Sequence, residues 1–282
     1  PSVASHGFEC IHKTNSDLLL QVHMNRTGKK EKVQPEVGFY FTDVAPTNSA
    51  FRIKLTALEL DIPAGDSNYV VEQSYTVPVP VSLVRVGAHA HYLAKDLQGY
   101  ALLPGGEKKW LLWIKDWDFK WQGDYGYVEP IQLPAGSKIV MRYTYDNSSN
   151  NVRNPHSPPQ RVRWGLESTD EMGELYFQAL PPTAAEYRTL AQHYSDYYLK
   201  VSLSFYQHRL RLDPNDAEAH ARLGRALAAQ GMLEAAEEHL RSAVGLRADY
   251  DTALFDLGMV LLHGKRFAEA YDCFKTVTRI NP

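Results

Sequence analysis

Lys138-Ile-Val-Met-Arg-Tyr-Thr-Tyr145 decides the fold of the first half of the chain. Ile139, Met141, Tyr143 and Tyr145 fall on one face of an extended segment, and Val140, Arg142 and Thr144 on the other, because side chains alternate along a strand. Runs of the same texture lie on both sides of it. Leu18–His23, Gly38–Thr42, Phe51–Leu60, Tyr69–Val77, Val81–Tyr92 and Trp110–Trp113 precede it, and Gly173–Ala179 follows. Turn residues stand between them at Pro63-Ala-Gly65, Pro104-Gly-Gly106, Pro134-Ala-Gly136 and Asp146-Asn147. Many short strands broken by regular turns predict an antiparallel sandwich.

Beyond Pro181-Pro182 the texture changes to Ala, Leu, Glu and Arg at helical spacing. Glu186–Leu210 reads as one long helix. An internal repeat follows. Leu223-Gly224 recurs as Leu257-Gly258, and Gly231-Met-Leu-Glu-Ala-Ala236 as Lys265-Arg-Phe-Ala-Glu-Ala270, both at an offset of 34 residues. Asp213-Pro214 has its counterpart at Asn281-Pro282, two periods on. A helix–turn–helix period of that length resembles the tetratricopeptide repeat family. Leu223, Leu227, Ala236 and Leu240 are the expected core of one repeat, and Leu257, Leu261, Ala270 and Phe274 of the next. Such an array serves as a docking surface for a protein or peptide. It needs about three units for stability, so either the preceding helix caps it or further repeats follow.

Composition excludes several classes. The 282 residues include 30 basic and 33 acidic side chains, a formal charge of -3, so no basic face points to nucleic acid. No apolar run reaches the roughly 20 residues of a membrane span. Cys10 and Cys273 stand far apart, and neither a disulfide framework nor a CxxC motif is present. The chain opens at Pro1 in mid-domain sequence with no signal or targeting segment in view, and is expected to be a piece of a longer protein.

One constellation carries chemistry. In Gly87-Ala-His89-Ala-His91-Tyr92, two imidazoles two residues apart on a strand point to the same face and can converge on a metal. Alone, such a pair is more often a surface or core pair. Met172, in Ser168-Thr-Asp-Glu-Met172, adds a soft thioether of the kind that selects reduced copper. Alone, a methionine is more often core packing. His156, the helical histidines His193, His208, His220, His239 and His263, and the arginine-rich positions Arg209, Arg211, Lys265 and Arg266 read as surface or packing positions. Trp110, Trp113, Trp117 and Trp121 read as core and sheet packing. Asn25-Arg-Thr27 and Asn147-Ser-Ser149 are glycosylation sequons by pattern only.

These pieces, taken in order, resemble the copper type II, ascorbate-dependent monooxygenases, a family that includes peptidylglycine alpha-hydroxylating and dopamine beta-monooxygenases and bacterial relatives. The resemblance spans Leu18–Leu180. It rests on Leu20-Gln-Val-His23, the His89-Ala-His91 pair and Ser168-Thr-Asp-Glu-Met172, and on Asp116-Trp-Asp-Phe119, Trp121-Gln122, Tyr145-Asp-Asn147, Arg153-Asn-Pro155 and Arg163-Trp-Gly165. It implies that His89, His91 and Met172 hold the oxygen-binding copper. It implies that His23 is one ligand of a second, electron-transfer copper, and that Tyr176 lies near the substrate pocket. The implied reaction is hydroxylation of a C–H bond in an unidentified organic substrate, using dioxygen and ascorbate or another electron donor.

The fold expected on this basis is multidomain β + α, an antiparallel jelly-roll β-sandwich followed by a helical tetratricopeptide segment. Residues 1–43 would be the last strands of a first, incomplete copper sandwich and 44–180 the second sandwich. A linker and long helix at 181–212 and the repeats at 213–282 would follow. Of the two coppers in a complete enzyme, this chain would hold one whole site. The His-His pair that the second copper needs is absent and is expected upstream of Pro1. Gly87 stands where the peptide-hydroxylating members carry an arginine, which argues against a peptide substrate. The family also implies an extracytoplasmic or periplasmic location. The alternative is a non-catalytic copper-binding sandwich within a tetratricopeptide scaffold.

Overall fold

The computed structural model describes Leu20, residues 28–38 and residues 50–281. The expected strands Leu18–His23 and Gly38–Thr42, and His23 itself, lie outside the described residues apart from Leu20 and Gly38, which are in no strand. Among the described residues ten strands precede five helices. The strands are β1 (Phe51–Thr56), β2 (Asp61–Ile62), β3 (Tyr69–Thr76), β4 (Val81–Ala90), β5 (Ala94–Leu102), β6 (Lys108–Ile114), β7 (Asp124–Leu133), β8 (Lys138–Tyr145), β9 (Val162–Arg163) and β10 (Gly173–Leu180). The helices are α1 (Ala184–Leu212), α2 (Ala217–Ala229), α3 (Leu233–Leu246), α4 (Asp251–His263) and α5 (Phe267–Ile280).

Two four-stranded antiparallel sheets, ordered β1-β10-β4-β7 and β3-β8-β5-β6, enclose the core, and β2 pairs with β9 beside them. The face of β8 that the alternation singled out is fully buried: Ile139, Met141, Tyr143 and Tyr145 pack with Leu83, Val86, Leu97, Leu175 and Phe177. Four strands escaped the sequence reading, the two-residue β2 and β9 and the longer β5 and β7. β5 carries Lys95, Asp96, Gln98 and Gly99, a composition poor in β-formers, and its register against β8 shifts between Ala94 and Asp96. β7 contains Gly126 and Pro130 and sits at a sheet edge, where a missing N–H costs no ladder bond. The run Phe51–Leu60 ends as a strand at Thr56, and the chain turns before β2.

The tryptophans divide. Trp117 is buried at 1% exposure, but Trp110, Trp113 and Trp121 are 43%, 47% and 75% exposed, so core packing holds for one of the four. Trp110 and Trp113 stack on one another at 4.7 Å, and Lys108 and Lys115 cover their outer faces. Asn147 is fully buried and donates from Nδ2 to the carbonyls of Pro63 and Gln160, which closes that sequon to modification in the folded chain.

Helix α1 begins with Thr183 as its cap, accepting from the Glu186 N–H. It runs against the sandwich before it reaches the repeats. Tyr194 Oη accepts from the Lys54 N–H at 3.0 Å and donates to the Lys54 carbonyl at 2.8 Å, satisfying backbone groups on the open side of edge strand β1. Phe51 meets the rings of Tyr187 and Tyr194, and Tyr75 meets Tyr197 and accepts or donates a hydrogen bond with His193 Nδ1 at 3.0 Å. Over about its last three turns, α1 presents a different face to the repeats, where Leu203, Tyr206 and Leu210 flank their core. The stretch expected as a linker therefore packs on both units.

Within the repeats, Leu223, Leu227, Ala236, Leu240, Leu257, Leu261 and Ala270 are buried as the period predicts, while Phe274 is half-buried. The repeated Leu-Gly has a steric cause. A Cβ on Gly224 would lie 2.6 Å from Leu240 Cγ, and one on Gly258 would lie 2.6 Å from Phe274 Cε1. Helices α2 and α3, and α4 and α5, approach too closely there for any larger residue. Tyr206, Leu240 and Phe274 follow one another at the repeat spacing, so the end of α1 takes the place of a preceding second helix. Two of the arginines read as surface or packing positions form ion pairs: Arg209 pairs with Asp216 at 2.7 Å, and Arg266 pairs with Glu237 and Glu269.

His220 of α2 and His239 of α3 meet at 2.9 Å between their Nδ1 atoms. Burial, and then the neighbouring His220, hold His239 below the ordinary histidine value. The unfolded chain therefore takes up the proton more readily, and this contribution to stability is lost as pH falls through about 6.5. Thermal melts followed by the helical signal are expected to show Tm dropping on acidification, with a shallower drop in His239→Gln. Tyr194→Phe removes both bonds to Lys54 and is expected to cost about 1–2 kcal/mol in urea unfolding.

Candidate metal centre

The register of β4 with β10 builds the candidate site. Glu174 pairs with His89, Tyr176 with Gly87, and Gly173 with Ala90. Directly paired residues share a face, so His89, Glu174 and Tyr176 lie together on the outer face, opposite Ala88, Leu175 and Phe177 in the core. Just past the last pair, the His91 and Met172 backbones come together, since both N–H groups bond Glu171 Oε1. The structure thus places His89 and Tyr176 on one sheet face, with His91 and Met172 just beyond the ends of the two strands. The His89 and His91 rings stand 5.2 Å apart at 86°.

Each ring is held by its Nδ1. His89 Nδ1 lies 2.6 Å from Gln122 Oε1, and His91 Nδ1 lies 3.1 Å from the Asp170 carbonyl oxygen. Both partners are acceptors, so each ring donates from Nδ1, and in a neutral imidazole Nε2 is then the bare lone pair. Among the described residues no hydrogen bond engages Nε2 of His89, whereas the His91 ring also meets the Glu167 backbone carbonyl. Burial, foremost, and the neighbouring His89 hold His91 below the usual histidine value, against the pull of the Asp170 and Glu167 backbone carbonyls. A neutral ring is the form that binds a metal.

The backbone beneath is fixed by Glu171, which carries no accessible surface. Its Oε1 accepts from the N–H groups of His91 and Met172, and its Oε2 accepts from Leu93 N–H at 2.8 Å. Burial pushes this carboxyl up to about 8, against the backbone N–H groups of His91, Met172, Leu93 and Ala94, which pull it down. Both oxygens receive hydrogen bonds, and neither meets an acceptor for a carboxyl proton among the described residues, so the geometry is that of the carboxylate. Tyr145 adds a bond from its hydroxyl to the Met172 carbonyl at 2.9 Å. Nothing in the sequence singles out Glu171, which stands among the acidic neighbours Asp170 and Glu174.

A collar closes one side. Trp117 Nε1 donates to the His91 carbonyl at 3.0 Å, and the Phe119 ring meets that of His91 edge-on at 5.5 Å. Arg153 pairs with Asp116 at 2.8 Å and also bonds the Trp117 carbonyl, which ties the loop after β8 to the collar. On the other side the Tyr176 ring covers Gly87: a Cβ there would lie 2.2 Å from Tyr176 Cζ. The Arg52 guanidinium lies 4.6 Å from the centre of the Tyr176 ring. Any side chain at position 87 must displace that tyrosine.

His156 is half-buried rather than on the surface, with Nε2 3.3 Å from the Thr169 carbonyl. It lines a polar hollow of about 330 Å³ with Arg161, Arg163, Thr169 and Asp170. Asp61 holds both arginines, and the bond from Arg161 foremost keeps its carboxyl below the usual range. Among the described residues no group of three or more His, Cys, Asp or Glu side chains is placed to hold a metal ion, so the candidate donor set is two imidazoles and a thioether. No helix is long and apolar enough to cross a membrane among the described residues.

Comparison with known proteins bears on the helical segment. Residues 217–250 match the tetratricopeptide repeat family. No curated protein matches the chain. Among solved structures it is similar to the second TPR of Spaghetti (RPAP3) bound to the HSP90 peptide SRMEEVD, at 24% identity and a TM-score of 0.28, covering 28% of this chain and 70% of that one. It is also similar to MamA, at 25% identity and a TM-score of 0.30, covering 33% of this chain and 56% of that one. The C-terminal helices thus contain a tetratricopeptide repeat, an architecture of protein interaction.

Glu171→Ala leaves several buried N–H groups without an acceptor. It is expected to cost at least about 3 kcal/mol in urea unfolding. Glu171→Gln, which keeps the shape but turns one acceptor into a donor, is expected to cost less, about 1–3 kcal/mol.

Proposed function

We propose that the sandwich is the oxygen-binding copper unit of a type II, ascorbate-dependent monooxygenase, built as a jelly roll and joined to a tetratricopeptide module that docks a protein or peptide partner. One observation carries the reading. Two imidazole rings 5.2 Å apart have both Nδ1 atoms tied to oxygen acceptors, and the backbone of Met172 is tied to that of His91 through Glu171 Oε1. Metal-bound histidines are commonly oriented in this way by a bond from the other ring nitrogen, and two imidazoles with a thioether suit copper in its reduced form. The residues present therefore fit the metal that the sequence resemblance implies.

His89, His91 and Met172 would hold the copper. Bound there, it would supply one-electron redox chemistry toward dioxygen and a substrate C–H bond, with ascorbate or another donor returning electrons. The chain's own contributions are separable. Gln122 and the Asp170 carbonyl keep the ring protons on Nδ1. Burial keeps His91 neutral. Glu171 holds the strand ends that carry His91 and Met172, and Trp117 with Phe119 shields His91 from water on one side. Tyr176 and Arg52 flank the open face, where an organic substrate would lie. With Gly87 covered by Tyr176, no cation at that position is available to anchor a peptide carboxylate, which favours a substrate other than a glycine-extended peptide. An extracytoplasmic or periplasmic location belongs to the same proposal.

A second reading keeps the copper and drops the catalysis: a copper-binding sandwich fixed to an interaction scaffold. The repeat match and the packing of α1 on both units favour it. Two measurements separate the outcomes. Anaerobic competition for copper(I) with a chromophoric chelator is expected to show Met172→Ala binding at least about tenfold more weakly than wild type; equal affinity overturns the ligand set. Copper-dependent oxygen uptake by the loaded protein with ascorbate and a panel of organic substrates is expected for the enzyme. Copper(I) binding without any uptake selects the scaffold.

A further inference from the structure

We propose that Gln122 is a positioning residue that fixes the tautomer of His89, so that Nε2 of that ring faces the site unprotonated. Trp121-Gln122 is one of the sequence pieces to which the resemblance assigns no role. Only the metal arm of this inference rests on the copper reading; the tautomer arm stands on the metal-free chain.

The orientation of the Gln122 amide settles the direction of the bond. Its Nε2 donates to the Phe119 carbonyl at 2.9 Å, so its Oε1 is the end that meets His89 Nδ1 at 2.6 Å. Turning the amide over would set oxygen against oxygen at Phe119. An amide oxygen only accepts, so His89 must donate from Nδ1, and the hydrogen bond made by one ring nitrogen decides which nitrogen carries the proton. Phe119 also packs against the His91 ring, so one short segment reaches both histidines.

The two rings arrive at the same state by different means. His91 is buried, and its acceptor is the main-chain carbonyl of Asp170, which no side-chain substitution removes. His89 is half-buried, and its acceptor is one side chain on an exposed loop between β6 and β7. Among the described residues no group other than Gln122 holds the His89 proton at Nδ1, and without it water is free to partner either nitrogen. Loss of this residue should affect one ring and spare the other, a pattern that general damage to the collar would not produce.

The test uses the full chain with ¹⁵N-labelled histidine, free of metal and held above the histidine titration range. Long-range ¹H–¹⁵N spectra are expected to show His89 and His91 of wild type protonated at Nδ1. Gln122→Leu is expected to move His89 toward the Nε2–H form while His91 stays as it was. Gln122→Glu, which still presents an acceptor, is expected to restore the wild-type pattern. An unchanged His89 in Gln122→Leu, a shift of both rings together, or no rescue by Gln122→Glu overturns the proposal. In the metal arm, copper(I) affinity is expected to fall about 10- to 100-fold in Gln122→Leu and to recover in Gln122→Glu. If the tautomer moves as expected while wild type binds no copper(I), the copper reading fails and the positioning role stands. If wild type binds copper(I) and Gln122→Leu matches it in tautomer and affinity, the positioning role fails and the copper reading stands.

Discussion

A carboxylate buried without a cation is costly, by several kcal/mol even after the surroundings relax. Glu171 is such a group, and no lysine or arginine acts on it among the described residues. What offsets the cost is a set of main-chain N–H groups from two separate segments, residues 91–93 after β4 and Met172 before β10. Hydrogen bonds to a charged group contribute about 1.5–3 kcal/mol each, so three of them are of the right size to balance the burial. Because the donors come from both segments, the same bonds that make the carboxylate tolerable also fix the end of β4 against the start of β10. The relative placement of His91 and Met172 follows from that constraint.

The rest of the site is arranged around this junction. Trp117 bonds the His91 carbonyl, Phe119 packs on its ring, and Arg153 secures the loop that carries both. Tyr145, whose ring lies in the core, reaches the Met172 carbonyl. Asp116-Trp-Asp-Phe119, Tyr145-Asp-Asn147 and Arg153-Asn-Pro155 are scattered along the sequence, and in the fold they form supports for one strand end. Two imidazoles with their Nδ1 atoms committed are the product of this arrangement.

Helix α1 imposes a second constraint. Its tyrosines close the open edge of β1 and pack against Tyr75, while its last turns supply Tyr206 and Leu210 to the repeat core. A helix packed at both ends cannot act as a flexible tether, so the repeats are held against the sandwich. At the N-terminal side of the array, α1 covers the face of α2 that a preceding repeat would otherwise cover.

Local pattern was enough for β8, whose alternation is strict, and for the helical half, whose period is exposed in Leu-Gly and in the Ala and Leu core positions. It failed where the neighbour decides. β5 is a strand because β6 and β8 pair with both its sides, not because Lys95, Asp96 and Gln98 favour one. Trp110 and Trp113 look like core residues by type, yet they stack on each other outside, under two lysines. Glu171 and Gln122 were legible as letters of a motif, but their roles depend on which N–H and which ring nitrogen come within hydrogen-bonding reach across 80 and 33 positions of chain. The sequence by itself determined the two architectures, the repeat and the imidazole pair, because each rests on local periodicity. Only the tertiary structure decided which residues hold that pair, because those bonds join segments that no period in the sequence links.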